Sequence, residues 1–429
     1  MLNLREDAKN VFIYAYPLIT TEAIHLGADD RHFEHCREFP TSEYRRIVKL
    51  NMDTLYSYAW TQLKNSPYLI HIPKITERYF LFPVMDAYTN VIYSIGTRTP
   101  QMSAGDYIFL YREEPVPKEY KNYRVLRSED SLNSILLRIE TRGKEDYKLV
   151  NRLQDQFRIE PLYPERIEPV PPAHGVIPAE YPGTLSSEEY FTRFSELSAD
   201  NPIKDPEILQ AFERLGYQSA AAVFDYSKVS SEQKAALEQG MKDGMDLLRQ
   251  PGRFSRQVVR SNGWLTILGD AGTYGTNYLQ RASTARTGWG ANIPQDSLYS
   301  IATEDRNGSR FYSDKKYILH IEADGYPRAS IFWSITLYGE KSKYPVKNKI
   351  NRYSVNTYNI RQNKVEVNAD GSLDLYIARE EPEDEHKRKN WLPAPIDDEH
   401  FSLTIRNYWP DEISLAGRWE PPQVKESLY

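Results

Sequence analysis

Residues 331–338 constrain the fold of this chain more than any other stretch. Isoleucine, tryptophan and leucine alternate there with phenylalanine, serine, threonine and tyrosine. Because the side chains of a β-strand point to opposite faces in turn, this alternation predicts a strand with one core face and one face that carries hydroxyl groups. Strand-like runs at 372–378 and 401–408 follow, the first of them after a turn at 368–371. Together they predict an antiparallel β domain in the last third of the chain.

A second group of strands is predicted in the first third of the chain. Short runs rich in β-branched and aromatic residues lie at 79–82, 91–95 and 107–111, with turn residues between them. An amphipathic helix is predicted before them and is expected to end near Gly27. Residues 130–156 return to a helical spacing of apolar residues, which predicts a further helix.

A helical region is predicted between the two groups of strands. The Pro-rich stretch 161–182 predicts an extended linker. Behind it, Ser186 with Glu189 and Ser230 with Gln233 have the spacing of a capping box in front of an apolar run. These signals mark helix starts, so the linker is expected to lead into a helical connector.

The patterns predict a mainly β chain with a helical connector, built from two jelly-roll-like antiparallel β-sandwich domains in tandem. Residues 1–165 are assigned to an N-terminal helix and the first domain. Residues 166–295 are assigned to the linker and connector, and residues 296–429 to the second domain. A length of 429 residues agrees with two or three structural units.

Charge and cysteine content limit the partners and the compartment. The 54 basic and 60 acidic side chains give a net charge of −6, so nucleic acid is not an expected partner. No stretch approaches the roughly 20 apolar residues of a membrane span. A single cysteine excludes an intramolecular disulfide, and the N-terminus is a poor match to a signal peptide. A cytoplasmic protein is predicted, or a periplasmic one if a leader was removed.

Two candidate cofactor motifs fail on their spacing. The glycine-rich stretch 269–275 lacks the glycine spacing and the βαβ unit of a dinucleotide-binding turn. His32, His35 and Cys36 are soft metal ligands, but a tetrahedral zinc site needs a second ligand pair, and the other histidines are scattered. Exposed loop histidines beside a lone thiol are the alternative. No metal and no cofactor are predicted.

Asp53, Asp86 and Arg98 are the candidate catalytic residues. They lie in or beside turns of the first β domain, where loops on a rigid scaffold often carry functional sites. The two aspartates could act as an acid and base pair, with the arginine as a clamp for an anion. The alternative is structural, because aspartates in turns cap their own backbone and an arginine often ties carboxylates together.

Candidate ligand-binding residues are amide, aromatic and guanidinium side chains near the same turns or in the second domain. They are Asn51, Tyr56, Tyr88, Asn90, Arg352 and Trp391. The tryptophan has a structural alternative as an aromatic plug that fixes a loop.

Motifs in both β domains resemble those of a bacterial two-domain family known as domain of unknown function twelve-fifty-four, N-terminal, and twelve-fourteen, C-terminal. The similar stretches are 14–18, 51–57, 83–90 and 96–98 for the first domain, and 332–338, 351–354, 370–373, 390–395 and 417–422 for the second. The resemblance implies two jelly-roll-like β domains joined by helices, and trimer formation. It implies no settled activity. Many members of the family carry a secretory leader, whereas this chain begins almost at its first helix.

Three functions are considered. The first is a small-molecule enzyme, a metal-independent hydrolase or lyase that uses a carboxylate base and an arginine clamp for an anionic group. The second is a non-catalytic trimeric binding or assembly protein with aromatic ligand surfaces. The third is a tailoring enzyme of a biosynthetic pathway. A small-molecule ligand is the expected partner, and the family resemblance implies a homo-oligomer, with a trimer favoured.

Overall fold

The computed structural model describes residues 3–39, 49, 51–173, 175–250 and 258–427. Its longer helices pack together beside the first β unit, and the shorter helices lie between strands. The helices of the described residues are α1 Leu4–His25, α2 Tyr147–Gln154, α3 Ser187–Ser198, α4 Pro206–Arg214, α5 Ser231–Leu248, α6 Tyr278–Gly288, α7 Thr357–Arg361, α8 Glu385–Lys389 and α9 Glu412–Leu415.

Most strands belong to two β units, one at each end of the chain. The first unit has β1 Glu34–His35, β2 Thr54–Gln62, β3 Tyr68–Ile72, β4 Phe80–Met85, β5 Val91–Gly96, β6 Gly105–Tyr111, β7 Arg124–Ser128, β8 Leu132–Glu140 and β9 Arg158–Pro161. A small hairpin has β10 Tyr217–Gln218 and β11 Val223–Phe224. The second unit has β12 Val258–Ser261, β13 Trp264–Ile267, β14 Ser297–Ala302, β15 Tyr317–Ile321, β16 Ala329–Gly339, β17 Ser354–Asn356, β18 Leu373–Ala378, β19 Trp391–Pro393, β20 Phe401–Pro410 and β21 Gln423–Glu426.

Each unit is a sandwich of two sheets around its own apolar core. The sheets of the first unit have the strand orders β1-β2-β8-β4-β5 and β7-β6-β3-β9. Those of the second have the orders β12-β13-β14-β20-β16-β17 and β19-β18-β15-β21. Neighbouring strands are antiparallel except for β6 with β7 and β18 with β19. The predicted mainly β chain with two sandwich units and a helical connector is confirmed, while the jelly-roll topology stays a prediction.

The two units repeat one topology. Strands β2 to β9 correspond in order to β14 to β21, because every pairing among the first set recurs in the second. The sequence repeats as well: Tyr-Leu-Ile-His-Ile in β3 corresponds to Tyr-Ile-Leu-His-Ile in β15. In each unit that histidine contacts an aspartate of a neighbouring strand in the sheet. His71 lies 2.6 Å from Asp106 in β6, and His320 lies 2.7 Å from Asp374 in β18. The chain therefore contains an internal structural duplication.

Helix α1 lies at the centre of the helical layer. Its residues from Val11 to Ile24 are all buried, between the first sheet on one side and α3 to α6 on the others. Two glycines of α5 allow close packing, because an added Cβ would lie 2.6 Å from Ala8 at Gly240 and 2.4 Å from the Phe12 ring at Gly244. The prediction of an amphipathic helix is wrong here, because beyond its first two turns the helix is buried on all sides rather than on one face.

Two further predictions for the helical parts of the chain can be compared with the structure. The capping boxes of Ser186 and Ser230 are confirmed. The helix predicted over 130–156 is wrong for its first half, where β8 runs through the middle of a sheet with all its residues buried. A strand buried on both faces shows no polar alternation, so its apolar residues can be mistaken for a helical face. Helix α2 occupies only the end of that range.

The two sandwiches pack against each other through their larger sheets. The outer face of β2, β8 and β4 meets the outer face of β14, β20 and β16, with Tyr79 lying 6.0 Å from Phe332 and 5.7 Å from Tyr408 between ring centroids. The hydroxyl face predicted for 331–338 is therefore buried against the first unit. Strands β12 and β13, from the region assigned to the connector, extend the second unit's sheet. Within the described residues, no helix combines the length and apolarity needed to cross a bilayer.

Candidate functional site

A cavity of about 160 Å³ lies where the two larger sheets and helix α6 meet. Strands β2 and β8 form one wall, β14 and β20 form the opposite wall, and α6 with the loop after it closes a third side. Its lining contains three cationic side chains, Lys49, Arg138 and Arg406, and no aspartate or glutamate among the described residues. The positive lining makes this cavity the candidate functional site.

The first unit contributes a pair formed by Arg138 and Tyr56. They lie opposite each other in β8 and β2, and the guanidinium carbon is 5.1 Å from the centre of the tyrosine ring. Arg138 is 4% exposed and donates from Nη2 to the carbonyl oxygen of Gly290 at 2.7 Å. Burial lowers the pKa of Arg138, but the nearby hydroxyls of Tyr56 and Tyr299 outweigh it, so the pKa is raised. Arg138 stays cationic in a site where it has only neutral hydrogen-bond acceptors.

The second unit contributes the equivalent pair, Arg406 and Tyr299. They lie opposite each other in β20 and β14, with 5.9 Å from the guanidinium carbon to the ring centre. Arg406 is 4% exposed and donates from Nη2 to Tyr338 Oη at 2.9 Å and to the carbonyl oxygen of Lys49 at 2.9 Å. Burial lowers the pKa of Arg406, yet Tyr338, Tyr408 and Asp53 together raise it.

The two arginines make reciprocal contacts across the interface. Arg138 of the first unit binds the carbonyl of Gly290, which lies in the loop leading to β14, and Arg406 of the second unit binds the carbonyl of Lys49, which lies before β2. Among the described residues, neither guanidinium has an ion pair. A buried cation that no carboxylate compensates is unfavourable, so the position of Arg138 above all is suited to an anion from outside the chain, while the charge of Asp53 partly compensates Arg406.

Lys49 adds a third cation to the same cavity. Its backbone is left-handed, with φ of 53°, and its amide donates to the carbonyl of Lys343 at 3.0 Å. Burial lowers the pKa of Lys49 to about 8, and the positive charges of Arg406 and Lys343 act in the same direction, against Glu340. An amine with such a pKa is partly neutral near neutral pH and can accept a proton.

The remaining lining offers one free hydroxyl and an apolar surface. Thr404 is 3% exposed, and its Oγ1 has no hydrogen-bond partner in the structure. Leu136 takes the equivalent position in the first unit, two residues before the arginine, and Trp289 packs beside it in the lining. A buried hydroxyl without a partner normally costs about 1–3 kcal/mol, which an acceptor on a ligand would recover.

Asp53 joins the two sandwiches rather than lining the cavity. Its carboxylate accepts hydrogen bonds from Ser334 Oγ at 2.6 Å, Tyr408 Oη at 3.0 Å and Asn356 Nδ2 at 3.3 Å, all from the second unit. Burial raises its pKa, whereas these hydrogen bonds and the charge of Arg406 lower it. Arg406, and not Arg98, is the arginine whose charge acts on this carboxylate.

Asp296 makes the corresponding contact from the second unit to the first, and Arg98 is its partner. Asp296 precedes β14, just as Asp53 precedes β2. Arg98 Nε donates to Asp296 Oδ1 at 2.6 Å, and Ser94 Oγ also donates to this carboxylate. Asp296 is buried, so the pair ties the second unit to the first. The structure places Arg98 in an ion pair between units, away from the cavity lining.

The three predicted catalytic residues are not brought together. Asp53 precedes Thr54, which pairs with Glu140 at one end of β8, whereas Asp86 follows Met85, which pairs with Ser134 near the other end. At ~3.3 Å per residue along a strand, the two carboxylates are roughly 20 Å apart. Arg98 is bound to Asp296. A direct acid and base pair with this arginine as its clamp is therefore not formed.

Asp86 instead belongs to a buried cluster with Asp130 and Lys204. Lys204 Nζ lies 3.0 Å from a carboxylate oxygen of each aspartate. Burial and the charge of Asp86 raise the pKa of Asp130 to about 7, although Lys204 opposes them. Asp86 also accepts from the amides of Tyr88 and Asn90 at 3.0 Å and 2.8 Å, which is the turn-capping alternative considered from the sequence.

The predicted ligand residues divide into two groups. Asn51 and Tyr56 line the cavity, and Asn51 Nδ2 donates to Tyr56 Oη at 2.7 Å. The other four have structural contacts outside it. Tyr88 donates to the carbonyl of Asn201, and Asn90 donates to Asp86.

Arg352 and Trp391 stabilise the second sandwich together. Arg352 Nη1 donates to the carbonyls of Lys389 and Trp391 at 2.8 Å and 2.9 Å, and the Trp391 ring donates to the carbonyl of Ala378 at 2.8 Å. Arg352 also lines a second cavity, of about 290 Å³, between the two units. The Trp391 ring is buried, and the residue lies in strand β19.

The His32, His35 and Cys36 cluster lies at the edge of the first sandwich. His35 Nδ1 is 2.8 Å from Ser57 Oγ, and burial together with Arg37 lowers its pKa to about 4. The Cys36 amide donates to the carbonyl of Tyr56. The described residues contain no group of three His, Cys, Asp or Glu side chains arranged to hold a metal ion.

Sequence reasoning missed Arg138, Arg406, Tyr299 and Lys49. A repeat in the sequence carries the signal, because Asp-Thr-Leu-Tyr-Ser-Tyr-Ala at 53–59 corresponds to Asp-Ser-Leu-Tyr-Ser-Ile-Ala at 296–302. The tyrosine of each copy is the one that lies opposite the arginine. Lys49 has no comparable signal, since its position depends on the packing of the two units.

These features define a class: two duplicated β-sandwich units in one chain, with a cationic cavity between them and a helical layer. The chain belongs to the family that combines two domains of unknown function. Residues 31–161 match Protein of unknown function (DUF1254), and residues 296–412 match the domain DUF1214. The family resemblance drawn from the motifs is therefore confirmed. No curated protein matches the chain.

Two solved structures are similar to this chain. The VPA0106 protein from Vibrio parahaemolyticus has 21% sequence identity and a TM-score of 0.70, with 99% of this chain and 100% of that chain covered. An uncharacterized protein from Burkholderia cenocepacia has 12% identity and a TM-score of 0.43, with 99% and 94% covered. The first likeness shows that the two chains share a fold.

Proposed function

We propose that this protein binds a small anionic molecule in the cavity between its two sandwiches. The observation that carries the proposal is the pair of buried guanidiniums, Arg138 and Arg406, which lack ion pairs among the described residues and contact neutral oxygens. A fold rarely keeps such charges buried without compensation, because their desolvation costs several kcal/mol per ion. A carboxylate or similar anion compensates them when it binds.

The apolar part of the lining indicates the rest of the ligand. Trp289 and Leu136 offer a surface for a hydrocarbon portion, and Thr404 Oγ1 offers a hydroxyl to a polar one. The volume of about 160 Å³ resembles the engineered apolar cavity of ~150 Å³ that holds benzene. A compact organic acid fits these features.

Binding can be measured by isothermal titration calorimetry and thermal unfolding at constant ionic strength. Butyrate should bind and raise the melting temperature, and neutral butyramide should not. Arg138→Met should weaken butyrate binding at least tenfold, and Arg328→Met should leave it unchanged, since Arg328 pairs with Asp411 on the surface. If butyrate, benzoate, succinate and phosphate all fail to bind the wild-type protein, the proposal is wrong.

Catalysis on the bound anion is a second candidate function, favoured by Lys49. The sequence hypothesis of a hydrolase or lyase required a carboxylate base, but the described lining has no carboxylate. A lysine with a pKa of about 8 can take the proton from a carbon next to a carbonyl group instead. Exchange of the methyl protons of pyruvate in D2O, followed by NMR, should be accelerated by the protein and lost in Lys49→Met. Equal exchange with both proteins would exclude this role.

The remaining alternatives from the sequence are also proposals. A non-catalytic trimer with aromatic ligand surfaces requires self-association, which light scattering coupled to size-exclusion chromatography measures. A monomer at physiological concentration would exclude the trimer. The tailoring-enzyme alternative requires turnover of a ligand that binds in the cavity.

A further inference from the structure

We infer that the ligand is a dianion with two acidic groups, one held by each arginine and tyrosine pair. This inference rests on the proposed function and names the ligand class for the same cavity. It follows from the duplication, because Arg138 with Tyr56 and Arg406 with Tyr299 occupy equivalent positions of equivalent strands. Both pairs line one cavity.

The two pairs are close enough to act on one ligand. Tyr299 of the second unit raises the pKa of Arg138 of the first unit through its nearby hydroxyl, and each arginine donates to a loop of the opposite unit. The arginines therefore face one space from opposite walls. A molecule that contacts one guanidinium with an acidic group points its far end toward the other.

The number of cations in the cavity also favours two acidic groups over one. Lys49, Arg138 and Arg406 line it, and the charge of Asp53, which acts on Arg406 through space, compensates one of them, so a monoanion leaves the site net positive. Arg138 can bind a carboxylate through two parallel hydrogen bonds, because only one of its Nη2 hydrogens is donated within the chain, to Gly290. Arg406 donates both Nη2 hydrogens to Tyr338 and the Lys49 carbonyl, so it acts on the second acidic group mainly through its charge. The cavity size selects a short chain between the two groups, so succinate and glutarate are suitable probes.

The second observation in favour of a ligand is the unpartnered Thr404 Oγ1 on the wall formed by β20. It lies two residues from Arg406 in the same strand and so on the same face. Its hydroxyl can donate to an acidic group that Arg406 holds. The wall formed by β8 carries Leu136 at the equivalent place, which suits the hydrocarbon part.

Calorimetric titration of the full chain tests this inference, with succinate, glutarate and butyrate as ligands. Succinate or glutarate should bind at least tenfold more tightly than butyrate. Arg138→Met and Arg406→Met should each reduce dianion binding at least tenfold, and the double variant should lose it. Arg328→Met is the matched control, and circular dichroism checks that each variant is folded.

The outcomes separate this inference from the proposed function. If butyrate binds as tightly as the dianions, or if one arginine variant binds them like the wild type, the dianion inference is wrong and anion binding stands. If no anion binds the wild-type protein, both are wrong. The comparison of ligands on the wild-type chain needs no variant, so a variant that fails to fold does not remove the test.

Discussion

The two walls of the cavity share an arginine that lies opposite a tyrosine, but the residues beside the arginine differ. In the first unit, Arg138 has the apolar neighbours Leu81 and Leu136 on the same face. In the second unit, Arg406 has Ser334 and Thr404 at the equivalent positions. The duplicated scaffold repeats the cation and its tyrosine, while the residues beside them make one wall apolar and the other polar.

This difference shows which properties of the site depend on the fold and which on single side chains. The position of each arginine follows from the pairing of β8 with β2 and of β20 with β14. Its surroundings follow from residues that can be exchanged without changing that pairing. Variants made at equivalent positions of the two units therefore measure how far the units have diverged.

The largest expected loss of stability comes from replacing Asp53 or Asp296, each of which binds side chains of the opposite unit. Asp53→Ala should reduce the free energy of unfolding by about 3 kcal/mol, because Ser334, Tyr408 and Asn356 lose a buried acceptor. Asp296→Ala should cost less, since its partner Arg98 is partly exposed and can reach water. Urea unfolding of both variants measures the difference, and equal losses would show that the two contacts are energetically equivalent.

The next effect compares the two arginines in the absence of ligand. Arg406→Met should destabilise the protein by about 2 kcal/mol, because Tyr338 and the Lys49 carbonyl lose a charged donor. Arg138→Met should cost less, because removing a buried charge that no carboxylate compensates offsets the loss of its hydrogen bond to the Gly290 carbonyl. Thermal and urea unfolding of both variants would measure this difference in stability, in a buffer whose anion binds the cavity only weakly. A loss of similar size at Arg138 would mean that this guanidinium is structurally compensated.

A smaller effect is the pH dependence of stability that comes from Asp130, a residue of the first unit. Asp130 has a pKa raised from 3.8 to about 7 by burial and Asp86, so the folded protein binds more protons there than the unfolded chain. Its contribution to stability should therefore fall as pH rises from about 4 to about 7. Asp130→Asn should remove that part of the slope. Asp398→Asn, at the corresponding place before β20, should not, because that side chain is 70% exposed.

The smallest effect concerns the repeated histidine and aspartate pairs. A hydrogen bond that His320 donates to Asp374 raises the pKa of His320 above 6.5, so its stabilising contribution is present below that pH and is lost as pH rises through the higher folded value. The pair is partly exposed to solvent, so His320→Gln should change stability by only a few tenths of a kcal/mol, about the size of a surface ion pair. Unfolding measured at pH 5.5 and pH 8.5 tests it. A larger difference at pH 8.5 than at pH 5.5 would contradict the assigned sign.

The sequence predicted strands well where one face is polar. The alternation at 331–338 lies within β16, and Trp333, Ile335 and Leu337 are in the core as expected. Ile331 is the exception, because a bulge between Ala329 and Phe332 shifts the register and turns it to the contact between units.

The prediction failed at β8, and two residues of the site were missed with it. Strand β8 lies under the second unit on one face and in the sandwich core on the other, so its apolar residues showed no alternation. Because that stretch was predicted to be a helix, Arg138 was not recognised as a residue of the site. Asp53 and Asp86 were predicted to be catalytic because aspartate is common both in turns and in catalytic sites. Only the strand register shows that the two residues lie near opposite ends of β8. Asn51 and Tyr56 were found because they belong to the same turn and strand as Asp53.

The covalent link between the two sandwiches has a consequence for how a ligand is oriented. A dimer of one such unit would surround its cavity with two identical walls, and any substitution would change both at once. In a single chain the walls are encoded separately, so Leu136 can stay apolar while Thr404 is polar, and Lys49 is present on one side only. A molecule with two unlike ends can therefore enter this cavity in one preferred direction.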